Sequence, residues 1–340
     1  MCTGILAACD SKNDSPDTAY DFSAILKNLS ENVITATYED LDTKAGELSA
    51  AVTLLETNQD ETSLEAARVA WRASRSPWEQ SEGFLFGPVS TKGIDPAIDS
   101  WPVNTVDLDA VLASSAVLTK EYIDGLEGTL KGFHTIEYLL FGEDGSKSVS
   151  AFTDREFEYL IAVTQSLEGA VQELFESWSP AYENFAANVS DAGGEGSIYI
   201  SQKSAMQEII NGMIGIADEV ANGKIYDPLS TGDVTLEESR FSANSKADFQ
   251  DNIRSIENLF EGIYFEDAQG LSDYLLTIDT ELEERVSSAI QQAITAIGDI
   301  PGTFTEAIFS DPASVEAAQT AVRDLQEILE TEVKPLIDNL

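Results

Sequence analysis

Residues 20–57 read YDFSAILKNLSENVITATYEDLDTKAGELSAAVTLLET, and this stretch decides the fold class. Phe22, Leu26, Leu29, Val33, Thr37, Leu41, Leu48, Val52 and Leu55 recur close to every third or fourth position, the period that gathers side chains on one face of an α-helix. The same period carries on outward. Thr62-Ser63-Leu64-Glu65 opens a second helix expected to run to about Phe86, where Gly87-Pro88 stops it, and Pro77 inside it predicts a kink. Further helices are expected over 107–114, over 118–142 with a break near Gly125 or Gly128, and over 153–188. Four more are expected at about 197–222, 244–262, 268–298 and 312–338. Residues 88–106, punctuated by Pro88, Gly93, Pro96 and Pro102, and residues 223–243 read as long loops, which in compact domains often carry function. Strand-like alternation is scarce. The fold class is therefore all-α. Asp191-Ala192-Gly193-Gly194-Glu195-Gly196 is the strongest linker signal. It divides the chain into two helical-bundle domains, 20–190 and 197–340, behind an N-terminal segment 1–19.

Composition narrows the chemistry. The 340 residues hold 61 Asp plus Glu against 19 Lys plus Arg, a formal net charge of −42. Nothing in such a chain neutralises phosphates, so nucleic acid is excluded as a partner, and so is docking on anionic lipid by charge. An acidic excess fits an extracytoplasmic surface, salt adaptation or a cation binder. There is one histidine, His134. A zinc site with two or three imidazoles cannot form within one chain, and any Ser–His–Asp arrangement would have to use His134. The two cysteines, Cys2 and Cys9, lie at the extreme N-terminus, which leaves no cysteine cluster or core disulfide.

One helix concentrates the chemistry. In Leu130-Lys131-Gly132-Phe133-His134-Thr135-Ile136-Glu137-Tyr138-Leu139-Leu140-Phe141-Gly142 the stripe 130, 133, 134, 137, 140, 141 should face inward, and Gly142 is a natural stop. The only histidine and an acid therefore sit one turn apart on a buried face. Burying a carboxylate is costly unless it is paired or metal-bound. Two readings stay open, a hydrogen-bonded core pair and the start of a metal site. In the second, the remaining ligands must be oxygens, and one nitrogen with several oxygens suits iron, manganese or calcium. Glu82 is one source, beside Trp71, Trp78 and Leu85. Arg75, two turns before Glu82 on the same face, is placed to reach a neighbouring carboxylate. Asp95 and Asp99 follow in the loop beside Trp101. Trp71, Trp78 and Trp101 are candidates to line a pocket.

These blocks resemble the imelysin-like family. Gly132-Phe133-His134-Thr135-Ile136-Glu137 matches its Gly-x-His-x-x-Glu signature. Trp78-Glu79-Gln80-Ser81-Glu82 with Phe86-Gly87-Pro88-Val89 is similar to its second helix and stop, Ile98-Asp99-Ser100-Trp101-Pro102-Val103 to its loop motif, and Glu238-Ser239-Arg240-Phe241-Ser242-Ala243-Asn244-Ser245 to its second-domain signature. The resemblance implies an exported, often lipidated, all-helical protein of two bundles with a site near their junction, and relatives in iron uptake. It implies His134, Glu137, Glu82 and Asp99 as metal residues. Gly132, Arg75, Glu79, Trp78, Arg240 and Ser242 are implied as supporting ones, with iron as the candidate ion and iron-transport components as partners. Some members are described as peptidases, so a metal-dependent peptidase and a non-metal module that binds a peptide or small ligand in the cleft stand as alternatives. Leu6-Ala7-Ala8-Cys9 resembles a bacterial lipobox, which implies lipidation at Cys9, a membrane anchor and a place in the periplasm or on the outer cell surface. The basic and apolar regions of a signal peptide are missing or cut short before it.

Overall fold

The computed structural model describes residues 20–266 and 268–340, so Cys9 and the lipobox-like segment lie outside the described residues. Among the described residues the architecture is all-α, with no extended strand. No described helix is long and apolar enough to cross a membrane.

A helix at Ser23–Asn28 runs through a π-helical turn, Leu29–Ile34, into α1 (Thr35–Asn58). The 20–57 stripe is buried as its period requires. Gln59 takes left-handed backbone, and the side chain of Asp60 accepts from Ser63 N to cap α2 (Glu61–Glu79). This second helix ends well short of Phe86, at Glu79, with Pro77 inside its last turn. Pro77 has no N–H to donate back into the helix. Within two residues the chain tightens into the 3-10 turn Glu82–Phe84, with Ser81 N on Trp78 O and Phe84 N on Ser81 O. Glu79 at the helix end and Glu82 in the turn are thereby both buried.

The expected loop 88–106 holds two single-turn helices, Pro88–Thr91 and Asp95–Ile98. The expected 118–142 helix is broken into Lys120–Asp124, a 3-10 turn at Gly128–Leu130, and α3 (Gly132–Phe141). A Thr153–Glu156 capping box starts α4 (Asp154–Trp178). That helix stops ten residues early, because Ser179 precedes Pro180 and is pushed to extended backbone. Then come α5 (Gln202–Glu219), which ends in a second π-helical turn, Val220–Lys224, and α6 (Ser245–Glu261). The 268–298 span is split. Asp279 ends the helix Leu271–Ile278 and caps α7 (Thr280–Gly298). Pro312 opens α8 (Pro312–Ile328).

Helix α1 packs on α2 and α4, with α3 laid against α2 and α4. In the C-terminal half α7 packs between α6 and α8, and α5 touches both α6 and α8. Contacts of α2 with α6, and of α5 with the Glu82–Phe84 turn, join the halves. The buried apolar residues form one continuous cluster from Phe22 to Ile337. At about 1.5–3 kcal/mol per fully buried large side chain, this shared core holds the halves together. We propose 191–196 as their boundary, a turn in which Gly193 N donates to Tyr199 O.

Candidate functional site

Three segments converge where the halves meet. From α2 come Arg75, Trp78 and Glu79, three and four residues apart and fully buried. From α3 come His134 and Glu137, also buried. The helix start lies hard against the preceding segment: Gly132 has φ +75°, and a Cβ there would stand 2.2 Å from Ile98 O. Only glycine permits both that backbone and that approach. The glycine of the signature thus brings Asp99, next to Ile98, against the histidine. The third segment, Glu237 to Ser245, is not a helix. Ser239 and Ala243 are non-glycine residues at φ +54° and +55°, a local cost tolerated where surrounding contacts fix the chain. Those contacts are Ser245 Oγ donating to Glu237 Oε1 at 2.6 Å, Thr305 Oγ1 to Glu237 Oε2 at 2.7 Å, and Asn244 N to Ser239 O at 3.1 Å.

His134 is the hub. Its Nδ1 lies 3.2 Å from Glu137 Oε2. Glu137 Oε1 accepts from Ser242 N at 2.8 Å and Ser242 Oγ at 2.7 Å, so this acid is itself held by the C-terminal half. On the other side, His134 Nε2 lies 3.0 Å from Asp99 Oδ1 and 3.5 Å from Glu238 Oε1, yet makes no well-aligned hydrogen bond with either. Asp99 Oδ2 accepts from Trp78 Nε1 at 2.6 Å. Arg75 pairs with Asp99 and Glu79, with Glu238 at 3.0 Å and with Asp248 at 3.4 Å. Lys224, fully buried at the end of its π-helical turn, reaches Glu82 and Glu238 at 2.8 Å each and Glu79 at 3.5 Å.

Acid is in excess here. Glu79, Glu82, Asp99, Glu137, Glu238 and Asp248 are buried around Arg75 and Lys224. The imbalance appears in their proton affinities. Burial drives the carboxyls of Glu79 and Glu82 well above the usual range despite Arg75 and Lys224, and lifts Asp248 to about 6. Burial also acts on Asp99, but Arg75 and His134 outweigh it and hold that carboxyl well below its ordinary value. Lys224 and His134 likewise overcome burial at Glu238 and bring it to about 2. Burial disfavours the imidazolium of His134, but Asp99, Glu137 and Glu238 together raise its proton affinity well above the ordinary value.

The donor set fits a cation. One ligand atom each from Asp99, His134 and Glu238 lies within 4.8 Å of the others. Atoms bound about 2.0–2.2 Å from one ion stand roughly 3–3.6 Å apart, the separation of Nε2 from the two carboxylate oxygens. Glu137 at Nδ1 supplies the carboxylate that orients a ligating imidazole. Beside this set lies a cavity of about 290 Å³ bordered by Trp101, His134, Glu137, Glu237, Arg240 and Phe241.

Asp99 and His134 meet directly, with Glu137 behind the ring and Arg75, Glu79, Trp78, Gly132 and Ser242 all in supporting contact. Glu82 is one step removed, held by Lys224 and by Asn252 Nδ2 at 2.9 Å. Arg240 stands at the cavity rim, paired with Glu143 at 2.8 Å and stacked on Phe241. Of the tryptophans proposed for a pocket only Trp101 borders the cavity. Trp71 and Trp78 are core, their Nε1 groups donating to Phe133 O and Asp99. The sequence reading gave no site role to Lys224, Asp248 and Asn252, nor to Glu238, although Glu238 opens the second-domain signature. For Asp248 and Asn252 a signal existed, since they share a three/four stripe with Phe249, Ile253 and Ile256 on α6. Nothing local marks Lys224.

The family described as imelysin matches over residues 34–331. Iron-regulated protein A of Synechococcus elongatus is 29% identical over 320 residues, covering 92% of this chain and 86% of that protein. A crystal structure of an iron-regulated protein A precursor from Parabacteroides distasonis superposes with a TM-score of 0.83 at 29% identity, covering 92% of this chain and 94% of that one. An imelysin-like protein from Psychrobacter arcticum, 13% identical with a TM-score of 0.74 and the same coverage, shares the fold. By the extent of the family match, the chain belongs to the imelysin family.

Proposed function

We propose that this protein binds a divalent metal ion, iron being the favoured one, as cargo or sensed ligand in iron uptake, through Asp99, His134 and Glu238. The observation that carries the reading is His134 Nε2: buried, without an aligned hydrogen bond, and 3.0 and 3.5 Å from two carboxylate oxygens. The buried acid excess supports it, and so do two relatives that bear the name iron-regulated protein A. Hard carboxylate oxygens with one imidazole suit ferrous iron or manganese over a thiolate-seeking ion. Glu137, clamped by Ser242, is a positioning residue, and Glu82 lies outside the coordinating set. Export and lipid anchoring at Cys9 complete the proposal, supported by Leu6-Ala7-Ala8-Cys9 and by an acidic surface suited to gathering cations.

Anaerobic titration calorimetry with Fe2+, backed by elemental analysis, tests it. The wild-type protein should take up one ion per chain, and Asp99→Asn or His134→Ala should weaken that binding roughly 100-fold while leaving the helical circular dichroism unchanged. Undiminished affinity in both variants overturns the assignment. Cleavage of casein by the purified protein, stopped by a chelator, would move the reading to a peptidase.

A further inference from the structure

Asp99 and Glu238 each belong to two overlapping sets of buried ligand atoms. His134 completes one set; Glu79 and Glu82 complete the other, and within each set the atoms lie no more than 4.8 Å apart. Two cation positions that share a pair of carboxylates are the layout of a bridged two-metal centre. The positions differ in what stands at them. At the first, His134 Nε2 has no aligned partner. At the second stands the ammonium of Lys224, 2.8 Å from Glu82 Oε2, 2.8 Å from Glu238 Oε2 and 3.5 Å from Glu79 Oε2.

Two acids of this second position are tied to each other by a group other than the lysine. Asn252 Nδ2 donates to Glu79 Oε2 at 2.6 Å and to Glu82 Oε2 at 2.9 Å, tying the two acids together. Lys224 enters from the far side at the end of a π-helical turn, a distortion frequent at functional sites. An ammonium carries three donors and no lone pair at this protonation. It can neutralise several carboxylates, but it brings one charge where a metal ion would bring two.

Building on the metal-binding reading above, we propose that Lys224 is the resident occupant of the second position: it takes the place of a second metal ion, restricts the centre to one, and fixes Glu238 for the ion beside His134. Removing one partner of a buried ion network leaves uncompensated charge. In Lys224→Met, a change of similar length, the cage of Glu79, Glu82, Asp99 and Glu238 therefore recruits a dication to replace the ammonium.

The test is Mn2+ binding to the full chain in millimolar Mg2+, which occupies surface acids, read by elemental analysis and electron paramagnetic resonance. Wild type should saturate at one ion with an isolated-ion spectrum. Lys224→Met should take up two and show the exchange-coupled signal expected of bridged neighbours, with thermal stability that is lowered in chelator and restored by Mn2+. Lys224→Arg should stay at one. Lys224→Gln gives the same reading if the methionine variant does not fold. One ion in both Lys224→Met and Lys224→Gln, two uncoupled ions in them, or a second coupled ion in wild type would each overturn the proposal while leaving the first site standing. A wild-type protein that binds none removes both readings.

Discussion

The α3 helix and the Glu237–Ser245 segment each send two residues to the same histidine-centred cluster, by opposite means. In α3 the helical period alone puts His134 and Glu137 on adjacent turns of one buried face. In the other segment Glu238 and Ser242 are four residues apart, against three for His134 and Glu137, yet no helix aligns them. Two left-handed residues and a web of side-chain hydrogen bonds do. Regular backbone hydrogen bonding makes the first half of the site locally determined. The second half depends on long-range contacts with α3, α6 and Thr305. One face of the site is thus set by local helical backbone and the other by long-range side-chain contacts.

The sharpest way to break this comparison is to remove the cation common to both faces. Arg75 pairs with Asp99 on the α3 side and with Glu238 on the other. Arg75→Met leaves several buried carboxylates without their partner, so we expect a loss of about 4 kcal/mol in denaturant unfolding. A loss below about 1 kcal/mol would show that water reaches the cluster. Next in size is metal affinity. If both faces supply ligands, His134→Ala and Glu238→Gln should weaken Fe2+ binding alike, by roughly 100-fold or about 3 kcal/mol each. A large effect at His134 with none at Glu238 would reduce the second face to packing.

Gly132→Ala follows. Its Cβ would collide with Ile98 O, and the backbone would be strained as well, so we expect about 2 kcal/mol of destabilisation. Metal affinity should fall with it, because Asp99 is pushed away from His134. The clamp between the faces should be weaker. Glu137→Gln should reduce affinity roughly 10-fold by loosening the orientation of the imidazole. Ser242→Ala, which removes one of two donors to Glu137 Oε1, should cost about 1 kcal/mol in stability. Equal effects of the two on affinity would make the clamp, rather than the Glu137 charge, the controlling feature.

The same contrast explains what could be read from the sequence. The all-α class, the buried stripe of α3 and the inward His134–Glu137 pair follow from a period of three to four, so they were legible. The stop at Gly142 and the break between Gly125 and Gly128 were legible too, but other helix ends were not: Pro180 and Asp279 stop or split helices that the apolar period continues through. Asp99 and Ser242 were reached through motif resemblance, because no period marks a loop residue. Glu238 lay in the same motif as Ser242 but was not read as a ligand, and Lys224 stayed hidden altogether, for a physical reason. Their places are set by each other's charge across 14 positions of chain, and a lysine beside acids in so acidic a sequence reads as an ordinary surface pair.

The smallest expected effect isolates the electrostatics of the first face from its packing. Asp95, one helical turn before Asp99, is partly buried, and burial together with the Asp99 charge lifts its carboxyl to about 6. The unfolded chain holds that group near 3.9. Between these values the folded protein binds more proton than the unfolded one, so stability contributed by this group falls as pH rises from about 4 to about 6. Asp95→Asn removes that fall. A two-unit shift corresponds to about 2.7 kcal/mol, and solvent screening at a partly exposed group reduces it to about 1 kcal/mol. The variant should therefore unfold at higher denaturant than wild type at pH 7 and at the same denaturant at pH 3.5. A gain of equal size at both pH values would assign the effect to packing of the Asp95–Ile98 turn, and the carboxylate field around Asp99 would then have no part in it.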